Sequence, residues 1–272
     1  MLRTRVITAL VLLAILLLVV YSKSYSFFAL VTATFFAAAA WESFRLFRNR
    51  QPLFGAAIWT AAFVFIVFQE AAPPAMLLFG LCAAIWAIRL APSLAFGLPP
   101  LDGFRNQLLN GIYGIAILGC FLAIVVLFKH SPLYLLSVMA IIWIADIGAY
   151  FSGKAFGKHK LAPSISPGKS WEGAVGGWLI VLLLAGVSTM YPALSDTFAP
   201  SVFVKGGWPG FLVVMTIMVA ASVVGDLFES QLKRRAGMKD SSNLLPGHGG
   251  VLDRIDALIP TLPLAVLFDL WF

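Results

Sequence analysis

Residues 208–256 read WPGFLVVMTIMVAASVVGDLFESQLKRRAGMKDSSNLLPGHGGVLDRID, an apolar run that passes directly into a polar loop. The apolar part, residues 208–228, is long enough to cross the hydrocarbon core of a bilayer as a helix, which takes about 20 residues. The loop that follows carries five basic residues, three aspartates and one histidine between residues 230 and 256. Ionisable groups beside a bilayer are costly, so this dense cluster predicts a functional site at the membrane surface.

The composition of the whole chain predicts an integral membrane protein. Of its 272 residues, 61% are hydrophobic and 11% are charged, whereas a soluble domain is about half apolar and about one quarter charged. We therefore expect an all-α polytopic bundle of about nine transmembrane helices. The expected spans are residues 6–22, 25–41, 53–69, 75–92, 109–128, 133–151, 174–191, 208–228 and 257–272.

The basic residues alternate between the loops, and this pattern predicts the orientation. Sixteen of the 19 lysines and arginines lie in the N-terminal tail and in every second loop, whereas Lys23, Lys129 and Lys205 lie on the other side. Because cytoplasmic loops are enriched in Lys and Arg, we expect a cytoplasmic N-terminus and a C-terminus on the far side. In this arrangement the net charge of +7 comes from basic residues at the membrane surface and does not indicate a nucleic-acid partner.

Two further features concern the apolar segments. Arg3 and Arg5 precede the first span as in a signal peptide, but no small-residue cleavage site follows, so we expect a retained helix. Cys82 and Cys120 both lie in apolar segments. We therefore interpret them as small buried hydrophobic residues, neither paired in a disulfide nor bound to a metal.

The acidic residues divide the chain into two parts. Residues 1–128 hold five spans with almost no charge inside the membrane, and residues 129–272 hold four spans and most of the polar chemistry. We predict that the second part is the catalytic region, with cytoplasmic loops at residues 152–173 and 229–256. Seven of the 12 acidic residues lie at or beside these loops, namely Asp146, Glu172, Asp226, Glu229, Asp240, Asp253 and Asp256.

Two pairs of carboxylates flank the second loop. Asp226 and Glu229 are three residues apart and can share one helix face with Lys233, and Asp253 and Asp256 are also three apart. If the two helices are neighbours, the carboxylates can converge at the membrane surface and bind a metal ion. The alternative is that Asp253 or Asp256 caps a helix, but this does not explain Asp226 at a helix C-terminus, where the helix dipole disfavours an anion.

The loop between these pairs contains a glycine-rich turn and several cations. The segment 246–250 reads PGHGG, an irregular turn able to approach a ligand closely, or an ordinary flexible connection. His248 is a candidate catalytic residue, although a lone histidine in a loop is usually a solvated residue. The neighbouring cations Lys233, Arg234, Arg235 and Lys239 can bind an anionic ligand, or they can be the positive-inside signal in contact with anionic lipid.

The loop after the sixth span has a second anion-binding candidate. Residues 164–173 read SISPGKSWEG, and Gly168-Lys169-Ser170 is similar to the end of a P-loop. The full P-loop motif fails because position 163 is Pro where the motif requires Gly. Lys169 and the serines can nevertheless bind phosphate. Asp146, inside the sixth span, is compatible with a proton relay of a carrier or with a partner for a basic loop residue.

These segments together resemble one enzyme family. Residues 230–256, the segment DIGAYFSG at 146–153 and the segment SPGKSWEG at 166–173 are similar, position by position, to the signature of the phosphatidate cytidylyltransferases. The resemblance is dense in the C-terminal half of the chain, and the first 128 residues match only in hydropathy.

The resemblance implies an enzyme of the bacterial inner membrane, facing the cytoplasm, that converts CTP and phosphatidic acid into CDP-diacylglycerol and pyrophosphate. It also implies a homodimer in membrane lipid and a two-metal centre with Mg²⁺, with a monovalent cation as an alternative for the second ion. The metal ligands would be Asp226 and Asp253, with Asp256 close by. We further predict catalytic roles for Asp226, Asp253, Lys239, Asp240 and His248. The residues predicted to bind CTP or the lipid phosphate are Ser166, Lys169, Ser170, Lys233, Arg234 and Arg254.

The residues suit this reaction, and two alternatives remain. The phosphate monoester of phosphatidic acid has its second pKa at about 6, so it is an anionic nucleophile near neutral pH without a general base. A CTP-dependent lipid kinase such as a polyprenol or phytol kinase would use similar residues, and an ion-coupled carrier would use Asp146 and Asp226. CDP-alcohol phosphotransferases are disfavoured because Asp102-Gly103 continues as Phe-Arg-Asn-Gln and lacks the expected Ala-Arg and later aspartates.

Overall fold

The structure, a computed structural model, describes residues 2–22, 24–69 and 75–271. Lys23 and Phe272, which the predictions above assign to a far-side loop and to the ninth span, lie outside the described residues. The first part of the chain contains α1 (Leu2–Ser22), α2 (Tyr25–Leu46), α3 (Pro52–Phe68), α4 (Ala75–Ile85), a π-helical turn (Trp86–Leu90), α5 (Ser93–Phe96) and α6 (Phe104–His130).

The second part of the chain adds a small hairpin to the helices. It contains α7 (Pro132–Phe156), β1 (Lys160–Ala162), β2 (Ser166–Ser170), α8 (Trp171–Ser188), a 3₁₀ turn (Pro192–Leu194), α9 (Phe198–Ala236), α10 (Leu252–Ile255) and α11 (Leu258–Trp271). Strands β1 and β2 pair antiparallel, with Lys160 opposite Ser170 and Ala162 opposite Ser166.

The prediction of a polytopic helical membrane protein is confirmed. Within the described ranges seven helices are long and apolar enough to cross a membrane, and the shorter apolar helices α3 and α11 correspond to the third and ninth expected spans. In a bilayer the backbone must satisfy its own hydrogen bonds, and continuous helices do this within each span. Helix α9 is longer than the expected eighth span, because it begins before a kink at Gly207, where φ is 60°.

One end of the bundle collects the polar segments. The hydroxyl of Thr8 in α1 donates a hydrogen bond to the carbonyl of Pro246 at 2.7 Å, and the amide of Gln231 in α9 donates to the carbonyl of Ser93 at 2.9 Å. The first turns of α1, the C-terminal end of α9 and the 246–250 turn therefore lie at the same end. We call this the loop end of the bundle.

The opposite end is tied together by the last helix. Tyr134, near the start of α7, donates to the carboxylate of Asp269 at 2.8 Å, and Lys205 in α9 donates to the backbone carbonyl of Asp269 at 3.2 Å. Helix α11 therefore ends opposite the loop end, which gives the alternation of segments expected from the basic residues. The assignment of the loop end to the cytoplasm stays a prediction.

Close packing of α7 against α8 sets the position of the hairpin between them. A side chain at Gly148 would meet the Cα of Gly177 at 3.0 Å, so glycines at these positions allow the two helices to approach closely. Small residues at helix contacts are typical of membrane proteins. The hairpin is consequently held beside the C-terminal half of α7, which carries Asp146.

Part of the apolar core lies between α2, α3 and α6, and the same cluster continues into α7, α8, α9 and α11. Phe36 is fully buried, and its ring centroid lies 4.7 Å from that of Phe63 and 5.3 Å from that of Phe121. Cys82 and Cys120 are both buried and free, which confirms their interpretation as hydrophobic core residues.

Candidate active site

Asp226 and Asp256 are brought together by close contact of α9 with the start of α11. A side chain at Gly225 would collide with the backbone carbonyl of Asp256 and would lie 2.9 Å from Cδ of Pro260, so only glycine allows this approach. Asp226 follows Gly225 directly and lies near enough for its charge to act on Asp256. One carboxylate from each of the two pairs that flank the loop in sequence, Asp226 and Asp256, therefore lies at the same location at the loop end.

Lys169 supplies the cation of this location. Its ammonium group forms an ion pair with Asp226, and the side chains of Lys169 and Asp226 are 26% and 29% exposed. Asp146 on α7 is also close enough to experience the charges of Asp226 and Lys169. We call Asp146, Lys169, Asp226 and Asp256 the outer cluster.

The hairpin that carries Lys169 is anchored to the first turn of α8. Glu172 accepts hydrogen bonds from the backbone N–H groups of Lys158 at 3.1 Å and His159 at 3.2 Å, and its Oε1 lies 2.6 Å from Nδ1 of His159. The N–H of Trp171 also donates to the carbonyl of His159 at 2.9 Å. Glu172 therefore fixes the base of the hairpin, while Lys169 reaches from it to α9.

Asp253 belongs to a second, buried network, which is centred on Lys233. Its Oδ1 accepts from Lys233 at 2.6 Å. Its Oδ2 accepts from the N–H of Ser241 at 2.8 Å, the hydroxyl of Ser241 at 2.9 Å and the N–H of Gly250 at 2.7 Å. Lys233 also binds Glu229 at 2.5 Å. The Lys233 ammonium thus joins two buried carboxylates and holds the loop against α9.

The two loop aspartates differ in their electrostatic environment. Burial by itself would raise the pKa of Asp253, but the hydrogen bonds from Lys233 and from the N–H groups of Gly250 and Ser241 outweigh it and lower the pKa below its usual value. Burial and the nearby charge of Asp226 raise the pKa of Asp256. Hydrogen bonds therefore compensate the charge of Asp253, whereas the N–H of Ala257 and the charges of Lys233 and Lys169 compensate that of Asp256 only in part.

The turn at residues 246–250 is held by Arg254. The carbonyl of His248 accepts from Nε and Nη2 of Arg254 at 3.1 and 2.8 Å. Gly247 and Gly249 have φ values of 76° and 83°, a region that favours glycine. The buried Nδ1 of His248 has no hydrogen-bond partner among the described residues. Arg254 therefore shapes this turn, and within the described ranges neither Arg254 nor the His248 ring forms a hydrogen bond or ion pair with the outer cluster.

Lys239 and Asp240 lie on the other side of the same loop. Both line an open pocket of about 530 Å³ together with Trp41, Arg45 and Ser242. The guanidinium of Arg45 lies 4.6 Å from the centroid of the Trp41 ring. This pocket combines two cations with an aromatic wall, and Lys169 is not among its lining residues.

The remaining predicted binding residues occupy several positions. Ser166 is half-buried at the start of β2. Ser170 is buried and accepts a hydrogen bond from the N–H of Gly173 at 3.2 Å, so its oxygen caps α8. Arg234 is exposed and bonds only to the carbonyl of Met238, at 3.5 Å, within the described residues. Their predicted roles in CTP or lipid binding stay predictions.

Sequence reasoning missed one central residue, Glu42 in α2. Glu42 is fully buried and accepts hydrogen bonds from Ser241, Ser242, Val251 and Leu252 in the loop. A signal was present, because Glu42 is one of three acidic residues in the first 128 and directly follows an expected span. An ionisable residue at that position is costly unless it has specific partners.

The outer cluster suits a divalent cation bound together with phosphate. Among the described residues no three His, Cys, Asp or Glu side chains form a metal centre on their own. Mg²⁺ in nucleotide sites is commonly held by one or two carboxylates together with water and phosphate oxygens. Asp226 and Asp256 provide such carboxylates, whereas ligation by Asp253 requires it to release one of its present hydrogen bonds. The donor set therefore fits Mg²⁺ with a phosphorylated substrate.

Comparison with known proteins places this site in a family. The profile of the cytidylyltransferase family matches residues 3–272. The chain belongs to the cytidylyltransferase family. The match includes the N-terminal half, which sequence reasoning connected to the family only by hydropathy, and it therefore includes Glu42 as well as the loop residues.

Two relatives match over nearly their full length. The chain is 36% identical to the phosphatidate cytidylyltransferase of Haemophilus influenzae, across 97% of this chain and 96% of that protein. It is 40% identical to the phosphatidate cytidylyltransferase of Pseudomonas aeruginosa, across 97% and 95%. The enzyme of the same name from Bacillus subtilis is 39% identical across 50% of this chain and 46% of that protein. The resemblance to this enzyme family is confirmed.

Proposed function

We propose that this protein transfers the cytidylyl group of CTP to phosphatidic acid and releases pyrophosphate. Family membership over residues 3–272 and the names of the full-length relatives support this activity. The observation that carries it is the outer cluster, where Lys169 pairs with Asp226 beside Asp256. A site of this kind binds phosphate groups and a divalent cation rather than an uncharged solute.

The reaction needs charge compensation and positioning more than proton transfer. The phosphate monoester of phosphatidic acid is anionic near neutral pH, since its second pKa is about 6. Its oxygen attacks the α-phosphorus of CTP, a new P–O bond forms, and the bond to the β-phosphate oxygen breaks. Mg²⁺, when bound, neutralises the triphosphate and the leaving pyrophosphate. The protein must hold two polyanions in line, which is catalysis by orientation and electrostatics.

Lys169 and the buried network around Lys233 have different roles in binding and orienting the substrates. Lys169 is partly exposed on a hairpin, so its ammonium can leave Asp226 and bind a phosphate oxygen. Lys233 is only 11% exposed and is held by Glu229 and Asp253. We infer that Lys233 acts on the substrates through the loop it fixes. Lys239 and Asp240, in the neighbouring pocket, are positioned to contact a further part of CTP or the lipid headgroup.

We also infer the setting of the enzyme. The loop end carries most of the basic residues, which supports a cytoplasmic N-terminus and a site open to cytoplasmic CTP. The full-length relatives are bacterial, which supports the bacterial inner membrane. A homodimer is proposed from the resemblance of the signature segments, as is a two-metal centre that holds Mg²⁺ and, as its second ion, either Mg²⁺ or a monovalent cation.

Product analysis of purified protein tests the function. With CTP, phosphatidic acid and Mg²⁺ together, we expect pyrophosphate and CDP-diacylglycerol in equal amounts, and neither product when one component is left out. Release of CDP with a phosphorylated lipid alcohol would assign the protein as a kinase. Solute flux in proteoliposomes, without pyrophosphate, would assign it as a carrier.

A further inference from the structure

Glu42 connects the N-terminal half of the chain to the active-site loop. Its Oε1 accepts from the hydroxyl of Ser242 at 2.5 Å and the N–H of Val251 at 3.0 Å. Its Oε2 accepts from the hydroxyl of Ser241 at 3.2 Å and the N–H of Leu252 at 2.7 Å. Glu42 is fully buried, and these partners are four loop donors, none of them a basic side chain.

The position of these donors relates Glu42 to Asp253. Val251 and Leu252 lie at the start of α10, the short helix that carries Asp253. The first N–H groups of a helix have no partner within the helix, so an external acceptor fixes where the helix begins. Glu42 therefore sets the position of the backbone from which the Asp253 side chain extends.

Ser241 relates the two carboxylates directly. Its hydroxyl oxygen lies 3.2 Å from Glu42 Oε2 and 2.9 Å from Asp253 Oδ2. A serine hydroxyl has a single proton, so it donates to one carboxylate at a time. The N–H of Ser241 donates to Asp253 as well, at 2.8 Å. A displacement of Glu42 would therefore change the hydrogen bonding of Asp253 through this one residue.

Gly250 provides the space for this arrangement. A Cβ atom at Gly250 would overlap Ser241 Oγ and Glu42 Oε1. The φ of Gly250 is not in the left-handed region, where only Gly247 and Gly249 of this turn lie. The reason for glycine at position 250 is therefore the carboxylate of Glu42 and the hydroxyl beside it, not the backbone conformation.

We propose that Glu42 is a positioning residue for the cytidylyl transfer, and this rests on the proposed function. In the part of the chain that the structure describes it forms no hydrogen bond with the outer cluster, and it acts by holding Ser241 and the start of α10, so that Asp253 and Lys233 keep their geometry. A carboxylate is required because Ser242, Val251 and Leu252 all donate to it, and Ser241 donates to it in one of its two hydroxyl orientations. With Gln, one oxygen becomes an NH₂ group, and in either orientation of the amide this group faces a backbone N–H.

The substitution Glu42→Gln tests the proposal, with Asp102→Asn as control, since Asp102 is an exposed carboxylate in the loop before α6. Hydrogen exchange of the full-length protein, without any substrate, measures how strongly the loop amides are protected by their hydrogen bonds. We expect the amides of residues 241–252 to exchange at least roughly tenfold faster in Glu42→Gln, because a buried hydrogen-bonded partner is lost. The Asp102→Asn protein should exchange like the wild type.

Activity provides the second readout. Loss of a residue that orients a ligand or catalytic group typically costs about 10- to 100-fold in metal affinity or activity. We expect Glu42→Gln to lower kcat and to raise the Mg²⁺ concentration for half-maximal rate by about tenfold. A smaller amount of folded enzyme would lower the rate without moving that concentration. Wild-type protein that makes no CDP-diacylglycerol would overturn the proposed function, while hydrogen exchange would still report on the loop.

Gly250→Ala tests the same contact from the other side and keeps the Glu42 carboxylate. It replaces Glu42→Gln as the test if that variant does not yield folded protein. Its control is Gly111→Ala, since an added Cβ at Gly111 meets no atom within 4 Å. We expect Gly250→Ala to show the faster exchange and the shifted Mg²⁺ dependence, and Gly111→Ala to show neither. Unchanged exchange of residues 241–252, or faster exchange with normal kcat and Mg²⁺ dependence, would overturn the positioning role.

Discussion

The substitution Asp226→Asn should separate catalysis from folding. The side chains of Lys169 and Asp226 are 26% and 29% exposed, and an ion pair that water reaches contributes at most about 1 kcal/mol to stability. Such a loss lowers the melting temperature by no more than about 4 °C in a protein of this size. Removal of a charge-stabilising group at the reacting centre costs much more, about 2.7–4 kcal/mol or 100- to 1,000-fold in turnover.

The assay is pyrophosphate release at saturating CTP, phosphatidic acid and Mg²⁺, with the melting temperature of each protein measured in the same detergent. Asp102→Asn is the matched control, because it neutralises an exposed carboxylate outside the site. We expect normal turnover for the control and a loss of at least about 100-fold for Asp226→Asn. Normal turnover of Asp226→Asn would refute the argument that the outer cluster carries the chemistry.

Asp253→Asn should behave differently from Asp226→Asn, although Asp226 and Asp253 both belong to the carboxylate pairs that flank the same loop. The Asp253 side chain is 5% exposed and binds Lys233, and loss of one partner of a buried ion pair costs about 3–5 kcal/mol. We therefore expect both turnover and melting temperature to fall, the latter by about 10 °C. A fall in turnover with an unchanged melting temperature would mean that Asp253 contributes only to catalysis.

The remaining predictions concern the cation, the metal and the topology. Lys169→Ala should raise the KM for CTP or lower kcat, because Lys169 reaches Asp226. Arg48→Ala should change neither, because Arg48 lies outside the site. Equally small effects of both substitutions would mean that Lys169 only helps to set the membrane topology. EDTA should abolish turnover and added Mg²⁺ should restore it, since the triphosphate needs charge neutralisation, and activity in EDTA would contradict the metal assignment. A cysteine at position 160 should react with a membrane-impermeant reagent from the cytoplasmic side, and one at position 195 only from the other side; the reverse pattern would invert the orientation.

The class of fold was accessible from the sequence because hydropathy alone determines which segments can span a bilayer. All nine expected spans correspond to apolar helices of the described chain. The helix ends were not accessible, since helices extend beyond the membrane where tertiary contacts support them. Helix α9 runs from Phe198 to Ala236, well beyond the apolar run 208–228, because its polar last turns pack against the loop.

The site was accessible where residues share a local pattern, and not where contacts cross the whole chain. The carboxylate pairs on either side of one loop indicated that they can converge if their helices are neighbours, and the close approach at Gly225 brings Asp226 near Asp256. The sequence could not separate Asp253, held by Lys233, from Asp256, because both lie in the same segment. The sequence marked Glu42 only as an unusual acidic residue beside a span, and it could not show its partners because they are about 200 residues away in the chain.

The position of isotopic label in the products tests the central claim most directly. CTP labelled at the α-phosphorus should transfer its label to the lipid in wild-type enzyme, and CTP labelled at the γ-phosphorus should release its label only as pyrophosphate, because the lipid phosphate attacks the α-phosphorus. Transfer of the γ-label to the lipid, with release of α-labelled CDP, would show phosphoryl transfer and contradict the assignment as a cytidylyltransferase.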